Sequence, residues 1–470
     1  MKQLLQNIKA ILILITILSV GLLAGIVVQQ HRSQTSLMVA AGENRQTLKS
    51  RYAKAGSILT QDEVYVATSV DGERLYAEDP LLAESLANLV GDYTHFIQNS
   101  LESQYQGILL GTERNPFYQL LFDVTGRGLE GDDIILTLDS RLQAKAYELL
   151  GDMDGSVAMI NYKTGDVLAL VSKPSTSPDN IISYTNIPDT ALFNRAIMGS
   201  YYPGSSYKFV TAASYVSSMY YDPEHLVECL GHIPLIGVNG VTELGEGHGE
   251  INMKHAFEVS CNHFFGDIGI VSGDYQMEQT AEAFGYNKSF TLDRLSVQTS
   301  KFATVANDDE ILSWLSIGQP VGASLNTATP LHMAMMAGAV ANNGVMMTPH
   351  IVDSLINPLN QAYQRSEETE LATVLDHMDN LTIKELMLAG VESGGGKQAA
   401  VEGYKVAGKT GTAQVEGQDE YNAIFLGYVD NASHPYAIAV ISEDAGYGST
   451  VSAPIASELF QLAITLNSAE

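Results

Sequence analysis

The sequence predicts an α+β fold, and three observations carry that reading. Two β-like runs, SVAMINY and DVLALVS, flank turn residues Lys163, Thr164 and Gly165; two more, NAIFLGYV and YAIAVISE, lie near the carboxyl end; a long, largely helical stretch separates the pairs. Strands at both ends of a helical middle imply a sheet assembled from distant parts of the chain, with helices packed on it.

Taken in order, the first element is apolar. From Ala10 to Val28 no residue is charged, and the run ILILITILSVGLLAGIVV is aliphatic enough to cross a bilayer as one helix. Lys2 and Lys9 precede it, so the positive-inside bias places residues 1–9 in the cytoplasm, a membrane helix over 10–29 and the remaining body outside. A cleaved signal peptide is the alternative; its apolar core is usually shorter, and no A-x-A cleavage site stands out here. Residues 30–131 are polar and mixed, with a helix expected around Pro80 to Val90, and read as a non-catalytic pedestal. From residue 132 to 470 the texture changes. IILTLDSRLQAKAYELL passes from a short strand into a helix with Asp139 or Ser140 as N-cap, the first hairpin follows, and SAPIASELFQLAITL closes the chain as an amphipathic helix. No internal repeat or low-complexity tract is present.

Composition narrows the function classes. The chain has 470 residues, 45% hydrophobic and 17% charged, which excludes disorder and a disulfide-stapled miniature and leaves room for one large core plus a smaller module. With 25 basic against 54 acidic residues the formal charge is −29, so phosphate backbones are repelled and nucleic acid is a poor partner.

Three short segments bring chemistry-bearing residues together. In Tyr202-Pro203-Gly204-Ser205-Ser206-Tyr207-Lys208 a Pro-Gly turn opens a helix, placing Ser205 in its first turn and Lys208 one turn on. A lysine neutral enough to take the serine proton would make that hydroxyl a nucleophile. The bland reading is a helix start with a capping serine and a surface lysine, although Lys208 is the only lysine with a serine three places before it. In Ser260-Cys261-Asn262 a hydroxyl and a carboxamide two residues apart can address one point: the serine relays a proton and the amide holds a peptide group. In Lys409-Thr410-Gly411-Thr412 a β-prone stretch offers a lysine and two hydroxyls to a carboxylate, with Gly411 letting a substrate lie against the strand. Each segment alone is weak, and two have look-alikes. Ser324-Leu325-Asn326 is read as a loop feature and Lys163-Thr164-Gly165 as a hairpin turn, the latter followed by Asp166, which opposes an anionic ligand.

The order S-x-x-K, S-x-N, K-T-G-T is far more specific than its parts, and it resembles the signature of penicillin-binding proteins and serine β-lactamases. LTLDSRLQ, NYKTGDVLALVSKPS, LFNRAIMGSYYPGSSYKFVTAA, HGEINMKHAFEVSCN, TATPLHMAMMAGAVANNGVMMTPHIV and GYKVAGKTGTAQ extend the resemblance to monofunctional, class B penicillin-binding proteins, from Ile134 to the end of the chain. Residues 44–58 resemble the start of that family's pedestal and dimerisation domain. The resemblance implies a five-stranded antiparallel sheet flanked by helices and a peptidoglycan D,D-transpeptidase that needs no cofactor. It implies Ser205 as the acylated nucleophile, Lys208 as its general base and Ser260 as the proton shuttle. Asn262 would hold the substrate peptide, while Lys409, Thr410, Gly411 and Thr412 would line the site of its terminal carboxylate. The backbone N–H groups of Ser205 and Thr412 would form the oxyanion hole. Its partners would be D-Ala-D-Ala stem peptides as donor, an amine acceptor, β-lactams, and a glycosyltransferase of the elongation or division machinery.

Departures from the family pattern are local. Ser206 and Tyr207 replace the usual Thr and Phe, Ala55 stands where an arginine is usual beside Gly56, which puts the pedestal's usual salt bridge in question, and Asp444-Ala445-Gly446-Tyr447 replaces a more Asn/Gly-rich loop, which bears on acceptor choice. Two other enzyme outcomes share the motifs, a D,D-carboxypeptidase and a β-lactamase, in which water is the acceptor; no E-x-x-x-N element, the mark of a deacylating carboxylate, lies between the second and third motifs. A non-enzymatic β-lactam sensor or division scaffold is the alternative from another class. His225, His232, His248, His255 and His263 fall in one stretch with Cys229 and Cys261, yet no H-E-x-x-H or C-x-x-C spacing occurs and no metal is expected. The cysteines read as buried small hydrophobes, with a bridge as the alternative outside the cytoplasm. Met333, Met335 and Met336 read as helix core, and Trp314, beside SIGQPVG, as core or groove lining.

Overall fold

The computed structural model describes residues 9, 11–21, 49–124, 126–127, 130–231, 241–243, 245–414 and 421–468. Residues 11–21 are helical with exposed aliphatic side chains; among the described residues no helix is long and apolar enough to cross a membrane, and the rest of the expected 10–29 span lies outside them. Residues 30–48, including the first third of the family-like stretch at 44–58, also lie outside them.

The central sheet has five antiparallel strands: β1 (Gly155–Asn161), β2 (Val167–Lys173), β3 (Val406–Ala413), β4 (Asn422–Val429) and β5 (Tyr436–Ser442), in the spatial order β3-β4-β5-β1-β2. The hairpins foreseen at both ends of the chain meet through β5 and β1. Both faces of the sheet are covered. Helix α1 (Ser140–Leu149) and the closing helix α5 (Ser452–Asn467) pack one side, where Leu142, Val157, Met159, Val440 and Phe460 form a core. The other side meets the helical body, in which α4 (Pro330–Ala341) is buried along its whole length, Met333, Met335 and Met336 included. A strand buried on both faces has no polar side to alternate with, which is why β4 and β5 are buried throughout and, apart from Asn422 at the start of β4, carry apolar, aromatic or small residues. Asp139 is the N-cap of α1, its carboxylate accepting from Arg141 N and Leu142 N, and the helix at Pro80–Val90 stands where the sequence places it.

A second, six-stranded sheet crosses the expected boundary at 131/132. Its order is Ala362–Arg365, Val352–Ile356, Asp133–Leu136, Ile58–Leu59, Tyr65–Val70, Glu73–Tyr76, with Ile58–Leu59 parallel to Asp133–Leu136. Residue 55 is alanine, yet a buried ion pair stands beside it. Arg74 Nε donates to Glu102 Oε1 at 2.8 Å and Arg74 Nη1 to the Gly56 carbonyl at 2.7 Å.

Candidate active site

The three motifs, far apart in sequence, meet at the β3 side of the sheet. Gly204–Tyr207 forms a single 3-10 turn that runs into α2 (Lys208–Val216), so the helical turn expected to carry Ser205 is the tighter kind. Ser206 Oγ tightens it by donating to the Pro203 carbonyl at 2.7 Å. Residues three apart eclipse in such a turn, which puts Ser205 and Lys208 in line. Gly204 has φ +53°, and a Cβ there would sit 2.6 Å from the Thr412 carbonyl, so only glycine lets the turn press against β3. Gly411 meets the turn from the other side, 2.6 Å separating its missing Cβ from the Pro203 carbonyl.

Ser260 links helix Met253–Glu258 to α3 (Asn262–Ala283) and adopts φ +60°. A non-glycine residue in that region costs on the order of 1–3 kcal/mol and is characteristic of sites where a side chain must be aimed. The turn aims both oxygens of Ser260 at lysines. Lys208 Nζ donates to the Ser260 carbonyl at 2.6 Å, to Ser260 Oγ at 3.2 Å and to Asn262 Oδ1 at 2.7 Å. Lys409 Nζ reaches the same Ser260 Oγ at 2.9 Å from β3. Asn262 Nδ2 donates to the Thr242 carbonyl at 2.9 Å. Ser205 is half-buried, and its Oγ has no hydrogen-bond partner among the described residues.

Two lysines on one hydroxyl, both wholly buried, disfavour two positive charges. Burial brings Lys208 down to about 8, against the opposing pull of Glu243 and Cys261. Lys409 is held well below the usual ammonium range by burial first and by the Lys208 charge second. A hydroxyl flanked by amines, one of them neutral, can pass a proton between them. β3 is the edge of its sheet, so a peptide can lie along it as an added strand. Strand alternation puts Lys409 and Gly411 on one face and the half-buried Thr410 and Thr412 on the other, so these groups can converge on one anion only across that free edge.

The look-alike segments stand apart. Lys163-Thr164-Gly165 turns between β1 and β2, with Lys163 N and Thr164 N donating to Asn161 Oδ1. Ser324-Leu325-Asn326 is not a plain loop: Leu325–Thr327 pairs with Lys301–Ala303 as a two-stranded ribbon, and Ser324 Oγ closes a turn onto the Val321 carbonyl. Sequence reasoning missed Gln319, whose Nε2 lies 3.4 Å from the Thr412 carbonyl, and Thr242, the partner of Asn262. Gln319 had a signal, a lone amide between Gly318 and Pro320; Thr242 had none. The cysteines stand in the buried core as the sequence reading expects, and they have polar company there. Cys229 and Cys261 are free and buried, and they gather with Glu243 and His248, all four ligand atoms lying within 4.8 Å of one another.

Comparison with known proteins agrees with this arrangement. Residues 155–461 match the model of the penicillin binding protein transpeptidase domain, and the chain belongs to that family. It is 27% identical to the peptidoglycan D,D-transpeptidase PbpA of Mycolicibacterium smegmatis over 96% of this chain and 97% of that one. Among solved structures it resembles penicillin-binding protein A of M. tuberculosis in its ceftriaxone acyl-enzyme complex (TM-score 0.81, 25% identity, 88% of this chain and 100% of that one). It also resembles the D,D-transpeptidase domain of an Eggerthella lenta peptidoglycan glycosyltransferase (TM-score 0.78, 27% identity, 89% and 100%).

Proposed function

We propose that this chain is a serine D,D-transpeptidase that cross-links peptidoglycan stem peptides and is acylated by β-lactams at Ser205. The observation that carries the reading is the convergence of Lys208 and Lys409 on Ser260 Oγ, at 3.2 and 2.9 Å, beside a half-buried serine and a free sheet edge. Ser205 Oγ attacks the carbonyl between the two D-alanines as its proton passes to neutral Lys208. The backbone N–H groups of Ser205 and Thr412 receive the oxyanion. The C–N bond breaks, Ser260 relays the proton from Lys208 to the departing amine, and D-alanine leaves. An amine from a second stem peptide then attacks the ester, gives up a proton along the same relay and forms the cross-link, freeing Ser205. Asn262 holds the donor peptide, while Lys409, Thr410 and Thr412 hold its carboxylate across the β3 edge.

The uncharged run over 10–29, with Lys2 and Lys9 before it, supports a single membrane anchor with the 30–131 pedestal and 132–470 catalytic body outside the cytoplasm. Stem peptides are presented on glycan, so a glycosyltransferase must supply the polymer that this activity joins. The test is labelling by a fluorescent penicillin followed by intact-mass analysis and a chase. A long-lived adduct absent from Ser205→Ala is the expected result. Rapid loss of the adduct would instead indicate a hydrolase, and persistent labelling of the variant would refute the nucleophile.

A further inference from the structure

The cluster of Cys229, Glu243, His248 and Cys261 is not used by the mechanism above. Its atoms are spaced as a ligand set. Cys229 Sγ lies 3.4 Å from Cys261 Sγ, 3.4 Å from His248 Nδ1 and 3.7 Å from Glu243 Oε1, and Cys261 Sγ lies 3.1 Å from Glu243 Oε1. A tetrahedral zinc ion with Zn–S of about 2.3 Å and Zn–N and Zn–O of about 2.0–2.2 Å sets its ligand atoms roughly 3.3–3.8 Å apart, so a few tenths of an ångström of adjustment would seat one. The backbone is built to bring these side chains in. Val227–Cys229 pairs with Gly249–Ile251, placing Cys229 opposite Gly249 and next to His248. Glu243 N donates to the Gly231 carbonyl at 2.9 Å. Cys261, wholly buried, caps α3, and Glu243 Oε1 accepts from His263 N at 2.7 Å. Glu243 Oε1 accepts from both Cys261 Sγ and His263 N, and its charge is felt by Lys208 rather than neutralised in a close ion pair, so a buried thiol pair faces an anionic carboxylate.

We propose that these four residues bind one zinc-type divalent cation, and that the ion ties the Ser260-Cys261-Asn262 turn to the ribbon formed by Val227–Cys229 and Gly249–Ile251. Two thiolates favour a soft, tetrahedral ion over magnesium or calcium. Binding expels two thiol protons to solvent and leaves a centre of net charge −1 from two thiolates, one carboxylate and a neutral imidazole. The ligand Cys261 stands between the residues that meet Lys208, so the ion acts as a positioning element for Ser260 and Asn262. That consequence rests on the proposed mechanism, whereas the metal site itself does not.

The full chain, purified without chelator, is assayed for metal by mass spectrometry. One zinc per chain is expected, falling at least tenfold in Cys229→Ser and in His248→Ala. Exchange with cobalt should give a thiolate-to-cobalt charge-transfer band and the strong visible bands of a tetrahedral ion, both absent in Cys229→Ser. Absence of bound metal, undiminished metal in Cys229→Ser, or an intact mass two hydrogens short from a Cys229–Cys261 disulfide would overturn the site. Zinc removal should slow penicillin acylation several-fold and zinc addition should restore it. An unchanged rate with metal demonstrably lost would overturn the positioning role while leaving the site, and Ser205 labelling separately reports on the nucleophile.

Discussion

At the scale of single residues, the site turns on the charge of two buried lysines. Lys208 is brought down to about 8 by burial, and the base role proposed for it requires the neutral form. Below that pH its neutral fraction falls tenfold per unit, so the rate of β-lactam acylation should climb with pH, bend near 8 and then level off. Stopped-flow acylation across that range checks this, and a flat profile would remove Lys208 from the role of base. Lys208→Arg, which keeps the charge and cannot lose it, should slow acylation by about 10²–10⁴-fold. Burial and Lys208 depress Lys409, and in the proposed mechanism an arriving carboxylate would pull it back toward the charged form. Lys409→Ala should therefore weaken acylation by an anionic stem-peptide mimic about ten- to a hundredfold, the worth of a charged hydrogen bond of roughly 1.5–3 kcal/mol, while thermal unfolding moves less. An unchanged acylation rate would count against it. These residues were legible because each motif is spelled in consecutive letters. Thr242 and Glu243 were not, because their places depend on how a loop closes over α3, and no local spacing encodes that closure.

At the scale of elements, long apolar runs were readable and short partners were not. β4 and β5 announce themselves because burial on both faces removes any polar alternation. The three-residue strand at Leu325–Thr327 carries no such signature; only its pairing with Lys301–Ala303 makes it a strand. The buried ion pair beside residue 55 is similar. It joins the strand Glu73–Tyr76 to the short helix Leu101–Gln104, and the Arg74 and Glu102 side chains are fully removed from solvent. Breaking such a pair from one side strands a buried charge, at a cost of about 3–5 kcal/mol. Glu102→Gln preserves shape and removes the charge, so thermal unfolding of the full chain should show a marked loss of stability. A melting temperature equal to that of the parent would mean that Arg74 is satisfied by the Gly56 carbonyl and Ser69 alone.

For the whole molecule, the sequence suggests two modules meeting at residue 131, and the packing joins them more closely than that. Strand Asp133–Leu136 lies between Ile58–Leu59 and Val352–Ile356, so the amino-terminal and carboxyl-terminal parts share one sheet. Ser57 N donates to Asp133 Oδ1 at 2.6 Å, Asn88 Nδ2 reaches the Ser172 carbonyl on β2 at 3.2 Å, and Gln143 Nε2 on α1 reaches the Ser85 carbonyl at 3.0 Å. Leu82, Leu86, Leu89 and Val90 belong to the same continuous core as Leu136, Leu138 and Leu170. Burying each of those four side chains is worth about 1.5–3 kcal/mol, so removing their segment withdraws roughly as much as the whole 5–15 kcal/mol by which a domain is stable. Composition could not reveal this, since a polar, mixed segment reads as a separate stalk whether or not one of its helices is docked on the catalytic body. A fragment spanning 132–470 should therefore be poorly soluble or unfold far below the full chain, and its penicillin labelling should fall even though every motif residue is retained. Comparing soluble yield, melting temperature and labelled fraction with a chain starting at residue 49 decides the matter. A 132–470 fragment that melts and labels like the longer one would show that the shared sheet and core are dispensable, and that the catalytic body ends where the sequence alone places its boundary.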